Sequence, residues 1–394
     1  MKIAWFTPFS TKSAIGYYSK TAAEHLSKYC EVDLFLFEKE NIIDTSLKKY
    51  FFTKDDRLQE TLSAYDFIVY NLGNYPPFHL DIYEVSRKVK GIVILHDFVM
   101  HHFFLGYYLN YKKNKQEYRQ EFLSLYGPEA LKYVDDSFSG KIKPIWESEQ
   151  IIQFPFFEKA IEGAQAVITH SHFHREKVLE RYPGKVKTLY FPFDKQSIPA
   201  PELDASPPAS KLLLLTFGDV NPNKRIHQVL KVIGMNNTIK EKVEYVIIGS
   251  LNHRPYVGQL NRLLQKYRLG NIVTLLGYQD DSVLLYYIKK ADIFINLRYP
   301  AIEGASDSLL KQLTAGKPSL VTDTGFYSEL PSDVVVKIEI KQEMKNIEKA
   351  LRFLIQHHHI RKEIGLKAMN FAEQKFNPDE YCRGFLELLT SLRK

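Results

Sequence analysis

Ile293-Phe-Ile-Asn-Leu-Arg-Tyr-Pro-Ala-Ile-Glu303-Gly304-Ala-Ser306-Asp-Ser-Leu-Leu-Lys311-Gln-Leu-Thr-Ala-Gly316-Lys-Pro318-Ser-Leu-Val-Thr322 reads as a short apolar strand, a loop, a helix and a second strand. Ser306 is a predicted N-cap, with Asp307 and Ser308 in the first helical turn. Gly316 followed by Pro318 supplies the stop. A helix bounded at both ends between two apolar strands is the repeating unit of a parallel sheet.

Outward from this unit the same alternation covers the chain. Apolar runs at Ile3–Thr7, Val32–Phe37, Asp66–Leu72, Gly91–His96, Ala166–His170 and Val186–Phe191 predict strands, with a helix at Tyr17–Tyr29. A second set falls at Leu212–Phe217, Val243–Ile248, Ile272–Leu275, Ile293–Leu297, Ser319–Thr322 and Val334–Ile338. Strands apolar on both faces belong in sheets covered by helices on both sides, so the fold class is α/β. The chain has 394 residues, whereas a single core stops growing near ~250–300; two domains are expected. Pro199, Pro201, Pro207 and Pro208 stand among Ser and Ala, the composition of a stiff linker. The predicted organisation is an N-terminal Rossmann-like domain over 1–195, a linker over 196–210, a C-terminal Rossmann-like domain over 211–377 and a terminal helix over 378–394. That helix carries Tyr381, Phe385, Leu388, Leu389 and Leu392 at helical spacing. Ligands of doubly wound sheets sit at the carboxyl ends of the strands, here in a cleft that the two halves face.

Charged residues at 25% and hydrophobic residues at 45% leave no case for disorder, collagen or a coiled coil. The net charge of +7 suits an anionic small molecule or an acidic membrane surface, without demanding nucleic acid. No apolar run reaches the ~18 residues of a membrane span and no signal-peptide pattern follows Lys2, so a cytoplasmic chain starting at Met1 is expected. Cys30 and Cys382 read as small packing residues, and His357–His359 as a solvated helix end rather than a metal tract. Between His101 and Tyr126, Phe103, Phe104, Tyr107, Tyr108 and Tyr111 interleave with Lys112, Lys113 and Lys115. Such a segment either lies on an anionic bilayer or packs as a helical pair over the cleft.

Three loops carry candidate chemistry. Pro8–Gly16 leads from the first strand into a helix and is either a phosphate-facing loop or a plain turn. Gly218-Asp219-Val-Asn-Pro-Asn-Lys224-Arg225 opens the second domain's first helix; its two cations suit a diphosphate or are simply solvated. Glu303 and Gly304 precede the Ser306 cap, where a phosphate and a sugar can be held together, or where a carboxylate has a structural partner.

Taken in order, Ala14-Ile15-Gly16-Tyr17, Leu95-His96-Asp97, the Lys224 loop, Gly277-Tyr278, Ala291-Asp292, Glu303-Gly304 and Gly316-Lys317-Pro318 resemble the retaining glycosyltransferases of family 4. The resemblance spans nearly the whole chain. It implies the GT-B fold, with the acceptor on the N-terminal domain, the nucleotide sugar on the C-terminal domain and the terminal helix crossing back to the first domain. By position it implies that Lys224 holds the donor diphosphate, that Glu303 contacts the transferred sugar, and that His96 and Asp97 lie beside the sugar and acceptor. The amides of Gly304, Ala305, Ser306, Asp307 and Ser308 would face the phosphates, and Gly16, Gly218, Arg225 and Tyr278 would complete the donor site. The implied partners are a nucleotide-sugar donor and a glycan, glycoprotein or lipid-linked acceptor, as in cell-surface polysaccharide biosynthesis. With no Asp-x-Asp triplet in the sequence, no metal or other cofactor is expected, because cations and amides neutralise the leaving diphosphate. The departing phosphate would take the acceptor proton on the same face, retaining configuration without a protein nucleophile. Two positions depart from the pattern: Lys311 replaces a second Glu, and Asp219 replaces an Arg for which Arg225 is a candidate substitute. Lys311 is expected either to turn towards the phosphates and add a cation there, or to point to solvent while other groups hold the ribose. A non-catalytic glycosyltransferase-like binding subunit and a nucleotide-sugar epimerase are the alternative readings.

Overall fold

Trp5 and Phe6 are successive residues of one strand, point to opposite faces of their sheet and are both closed to solvent. That requires cover on both sides. The computed structural model describes residues 1–53, 56–194, 198 and 211–393 and divides into two units. The first comprises Met1–Phe193, Ile302–Ala305 and Phe376–Lys394; the second comprises Asp194–Ala301 and Ser306–Lys375. Apart from Ile198, the expected linker lies outside the described residues.

The first unit holds β1 (Lys2–Phe6), β2 (Glu31–Leu36), β3 (Lys49–Phe51), β4 (Phe67–Leu72), β5 (Ile92–Leu95), β6 (Ala166–Thr169) and β7 (Lys185–Thr188). They form one parallel sheet in the order β3-β2-β1-β4-β5-β6-β7. Strand β1 sits between β2 and β4, with Ile3 opposite both Val32 and Phe67. The order reverses there, and the crevice at such a reversal is where doubly wound sheets bind ligands. Helix Ala14–Leu26 starts at that point, capped by the Ser13 hydroxyl, which accepts from the Gly16 amide.

Helix Pro378–Leu392 belongs to this unit. Phe385 meets Trp5 with ring centres 5.7 Å apart, and the Tyr381 and Tyr18 hydroxyls hydrogen-bond in the interior. Lys187 pairs with Glu387 and Arg393 with Asp66 at the rim.

The aromatic segment after His101 belongs to the core of the same unit. It forms helix His101–Gly106, a π-helical turn at Tyr107–Tyr111 and helix Lys115–Phe138, broken at Gly127. Phe103, Phe104, Tyr108, Tyr118 and Phe122 are buried. Phe156 wedges between Phe104, Tyr118 and Phe122, each ring centre 5.6 or 5.7 Å away. Lys112 is paired with Glu117, and Lys115 lies over the Phe138 ring. The expected aromatic face for a bilayer is therefore absent among these residues: only Tyr111 of the aromatics named for it is exposed. Replacing Phe156 by Ala removes the shared wedge, and an equilibrium urea titration should show a loss of roughly 3–5 kcal/mol. No described helix is long and apolar enough to cross a membrane.

The second unit holds β8 (Leu212–Phe217), β9 (Val243–Ile248), β10 (Val273–Gly277), β11 (Ile293–Asn296), β12 (Ser319–Thr322) and β13 (Val336–Ile338), in the order β10-β9-β8-β11-β12-β13. This sheet is also parallel throughout, and its order reverses between β8 and β11.

Candidate functional site

At the carboxyl end of the first sheet, β4 and β5 deliver Asn71, Asn74, His96 and Asp97. Asp97 accepts from the Asn74 amide at 2.7 Å. Burial pushes its carboxyl up to about 7, the neighbouring Glu303 carboxylate adds to the rise, and the Asn74 hydrogen bond opposes it. An acid that titrates near neutrality at the end of a parallel strand is suited to taking and returning a proton. His96 lies beneath it in the interior. Its Nε2 meets Asn71 Oδ1 and its Nδ1 meets His170 Nε2, both at 3.0 Å. Burial holds His96 well below the usual imidazole range. The expected role of His96 beside the sugar is thus at odds with a ring that is turned inward and bonded on both nitrogens.

Glu303 and Gly304 were expected in the C-terminal domain, but Ile302–Ala305 pack with the first unit. The Gly304 amide donates to His96 O at 2.8 Å and the Val99 amide to Ile302 O at 3.2 Å. Glu303 and Asp97 are paired as an antiparallel bridge, so the two carboxylate residues stand opposite each other on adjacent segments. A Cβ on Gly304 would lie 2.5 Å from His96 O, which explains the glycine. The Gly304 amide is consequently engaged with His96 O. Gly16 is engaged in the same way: its amide is held by Ser13, and a Cβ there would meet Ile43 at 2.8 Å. Its glycine answers a packing need.

The second unit builds a different cluster at its own reversal point. Gly218 follows β8 in the left-handed region (φ 91°), and Lys224 returns over it, so that a Cβ on Gly218 would lie 2.9 Å from Lys224 Nζ. Lys224 is only 4% exposed and donates to Phe217 O. Arg225 stands in the left-handed region (φ 57°), lies over the Tyr299 ring and clamps Glu343, Nε to Oε1 at 3.0 Å and Nη2 to Oε2 at 2.5 Å. Glu343 is buried, and a buried carboxylate stripped of its cation is costly. In this structure Arg225 is the ion-pair partner of Glu343. Lys311 is also paired, with Asp307 one turn earlier at 2.7 Å.

Ser306 caps helix Asp307–Thr314, its hydroxyl accepting from the Leu309 amide and lying 3.1 Å from Ser308 Oγ. The amides of Asp307 and Ser308 belong to the first turn, which has no partners inside the helix. Ala305 immediately precedes this cap, in the first unit. Tyr278 follows β10 at 76% exposed, beside the β9 end, where the Gly249 amide donates to Gly277 O. One buried cation escaped the sequence reading. Arg298 directly follows Leu297 beyond β11, is 8% exposed and reaches Leu297 O at 3.1 Å and Ser308 Oγ at 3.4 Å. Its position just past an apolar strand at the sheet reversal was the available signal.

Residues 204–371 match the sequence profile of the glycosyl transferases group 1. A comparison with curated proteins gives no match. Among solved structures, Anabaena Alr3699/HepE in complex with UDP and glucose is 15% identical, covers 99% of this chain and 100% of its own, and has a TM-score of 0.68. Sucrose-phosphate synthase from Thermosynechococcus elongatus is 14% identical over 100% of this chain and 99% of its own, with a TM-score of 0.66. A glycosyltransferase from Rickettsia africae is 11% identical over 100% and 98%, with a TM-score of 0.69. At such identities the likeness is one of fold. The protein has the α/β fold of the GT-B glycosyltransferases, two parallel sheets with flanking helices, and the stretch that matches the group 1 profile lies mostly in its second unit.

Proposed function

We propose that the protein is a metal-independent, retaining glycosyltransferase. It moves a hexosyl or related sugar from a nucleotide-sugar donor on the second unit to a hydroxyl of a glycan, glycoprotein or lipid-linked acceptor on the first. The observation that carries this reading is Lys224, a buried ammonium folded over Gly218 at the sheet reversal, inside the segment that matches the group 1 profile. A fixed cation there, together with the first-turn amides at Ser306–Ser308, suits a departing diphosphate without a metal. HepE, with UDP and glucose named in its complex, supports a nucleotide-sugar donor.

In this reading the acceptor oxygen bonds the anomeric carbon as the bond from that carbon to the phosphate oxygen breaks, on the same face. The hydroxyl proton passes to the phosphate oxygen. Asp97, titrating near 7, exchanges that proton with solvent, and Glu303 stabilises the sugar as charge develops. The reaction takes place in the cytoplasm, where nucleotide sugars are the substrates at hand, and supplies cell-surface polysaccharide synthesis.

Incubation with UDP-, GDP-, ADP- and dTDP-sugars, following sugar release and anomeric configuration by NMR, tests the reading. Slow release of the α-configured sugar from an α-linked donor is expected. Glu303→Gln should lower turnover by roughly 10- to 100-fold with little change in donor affinity, since a transition-state contact acts on kcat. An isomerised donor would indicate an epimerase, and inversion would remove the retaining assignment.

A further inference from the structure

The second unit lacks the cation expected at Asp219, and neither substitute considered from sequence supplies it. Arg225 is clamped by buried Glu343, which also accepts from Gln228, and Lys311 is held by Asp307. Buried positive charge at the sheet reversal is nevertheless doubled. Strands β8 and β11 are neighbours, with Phe294 opposite Leu215, and the chains leaving them stay in contact: the Tyr299 amide donates to Asn223 O at 2.8 Å. Tyr299 follows Arg298, and Asn223 precedes Lys224. The two cations thus each sit one residue from the same hydrogen bond, both nine-tenths buried or more.

Arg298 is also fixed in direction. Its amide is tied to Thr322 Oγ1 at 2.9 Å, and its guanidinium spans from Leu297 O to Ser308 Oγ in the first turn of helix Asp307–Thr314. An anion bound at this turn gains from the positive end of the helix dipole and from both side chains, the Arg298 guanidinium and the Lys224 ammonium. Lys224 provides a point charge and Arg298 a planar fork of donors, a combination matched to the two phosphates of a diphosphate.

We propose that Arg298 is a donor-binding residue that grips the nucleotide diphosphate in place of the arginine missing at Asp219, so that this protein holds its donor from the β11 side as well as from the β8 loop. The assignment rests on the nucleotide-sugar reading above. It identifies the ligand as a diphosphate rather than a monophosphate, because two separated cations address two phosphates.

Calorimetry with UDP, GDP, ADP and dTDP, and with the nucleoside and monophosphate of whichever binds the wild-type protein, tests the assignment. Arg298→Gln should weaken the diphosphate by roughly 10- to 100-fold and leave the nucleoside unchanged, a ratio that a loss of packing alone would not move. Arg298→Lys keeps one charge and should lose less, with a thermal melt confirming that each variant is folded; it decides the matter if the glutamine variant does not fold. Diphosphate and nucleoside affinities that both match the wild type in a folded variant overturn the role of Arg298 and leave the donor reading standing. A wild-type protein that binds none of the nucleotides overturns both.

Discussion

Replacing Gly304 with alanine is expected to cut turnover by at least about 100-fold while both units remain folded. The added Cβ would lie 2.5 Å from His96 O, closer than carbon and oxygen can approach, and the atom it meets is backbone. The segment Ile302–Ala305 must then lift from the Asp97–Val99 edge, breaking the Gly304 to His96 and Val99 to Ile302 hydrogen bonds. Glu303 moves with it and loses its place opposite Asp97. Only those few backbone contacts are lost, so the melting temperature should shift little. Faster hydrogen exchange at the Val99 amide, together with lost turnover, is the expected pair of results. Normal turnover in the variant would show that the position of Glu303 does not matter to the reaction.

Acid should unfold the first unit well before it titrates ordinary carboxylates. Burial pushes His79 and His170 down to about 4 and His101 and His174 down to about 3, and holds His96 well below its usual range. The unfolded chain protonates these five rings near ~6.5, while the native unit keeps them neutral. Between that value and the folded ones the unfolded state binds more protons, so stability is lost as pH falls. Asp97 and Glu38 work the other way. Both are raised to about 7 mainly by burial, so the native state binds their protons first and gains stability as pH drops through 7. Five rings against two carboxyls leave a net loss on the order of 4 kcal/mol per pH unit across the middle of the window, and more once the solvent-screened share of the opposing Glu38 is discounted. Against a domain stability of ~5–15 kcal/mol this is decisive. Scanning calorimetry from pH 7.5 to 4.5 should show one transition falling by more than ~10 °C. A flat profile would mean that these rings are hydrated and charged in the native unit.

The two sheets were readable in the sequence because buried parallel strands are unbroken apolar runs, and a run such as Phe67–Leu72 has no competing reading. Strand β3, Lys49-Tyr-Phe51, was not, since three residues at a half-exposed edge leave no such run. Ser306 and Gly316 were legible as helix ends because capping is a local matter; the cap bond and the left-handed Gly316 are both present. What failed was long-range. Arg225 finds Glu343 118 positions away, and no local pattern announces that pair. Phe103 to Phe122 looked amphipathic until Phe156, arriving from beyond the segment, closed over them. Gly304 was noted as part of a phosphate loop, whereas its need for no side chain comes from His96 O, some two hundred residues earlier.

The row Asn71, His96, His170 and Leu189 O has one more property, which follows from counting hydrogens. His170 Nδ1 faces a carbonyl, His96 Nε2 faces Asn71 Oδ1, and Asn71 Nδ2 is already committed to Phe6 O. Both outer contacts therefore need a ring hydrogen, and the 3.0 Å contact between the rings needs a third. Two neutral imidazoles bring two. The vacancy has three places to sit, and each place corresponds to a different pair of ring tautomers with the heavy atoms unchanged. Buried in the first unit, the pair is one hydrogen short, and filling that gap completes every bond at the cost of a buried charge.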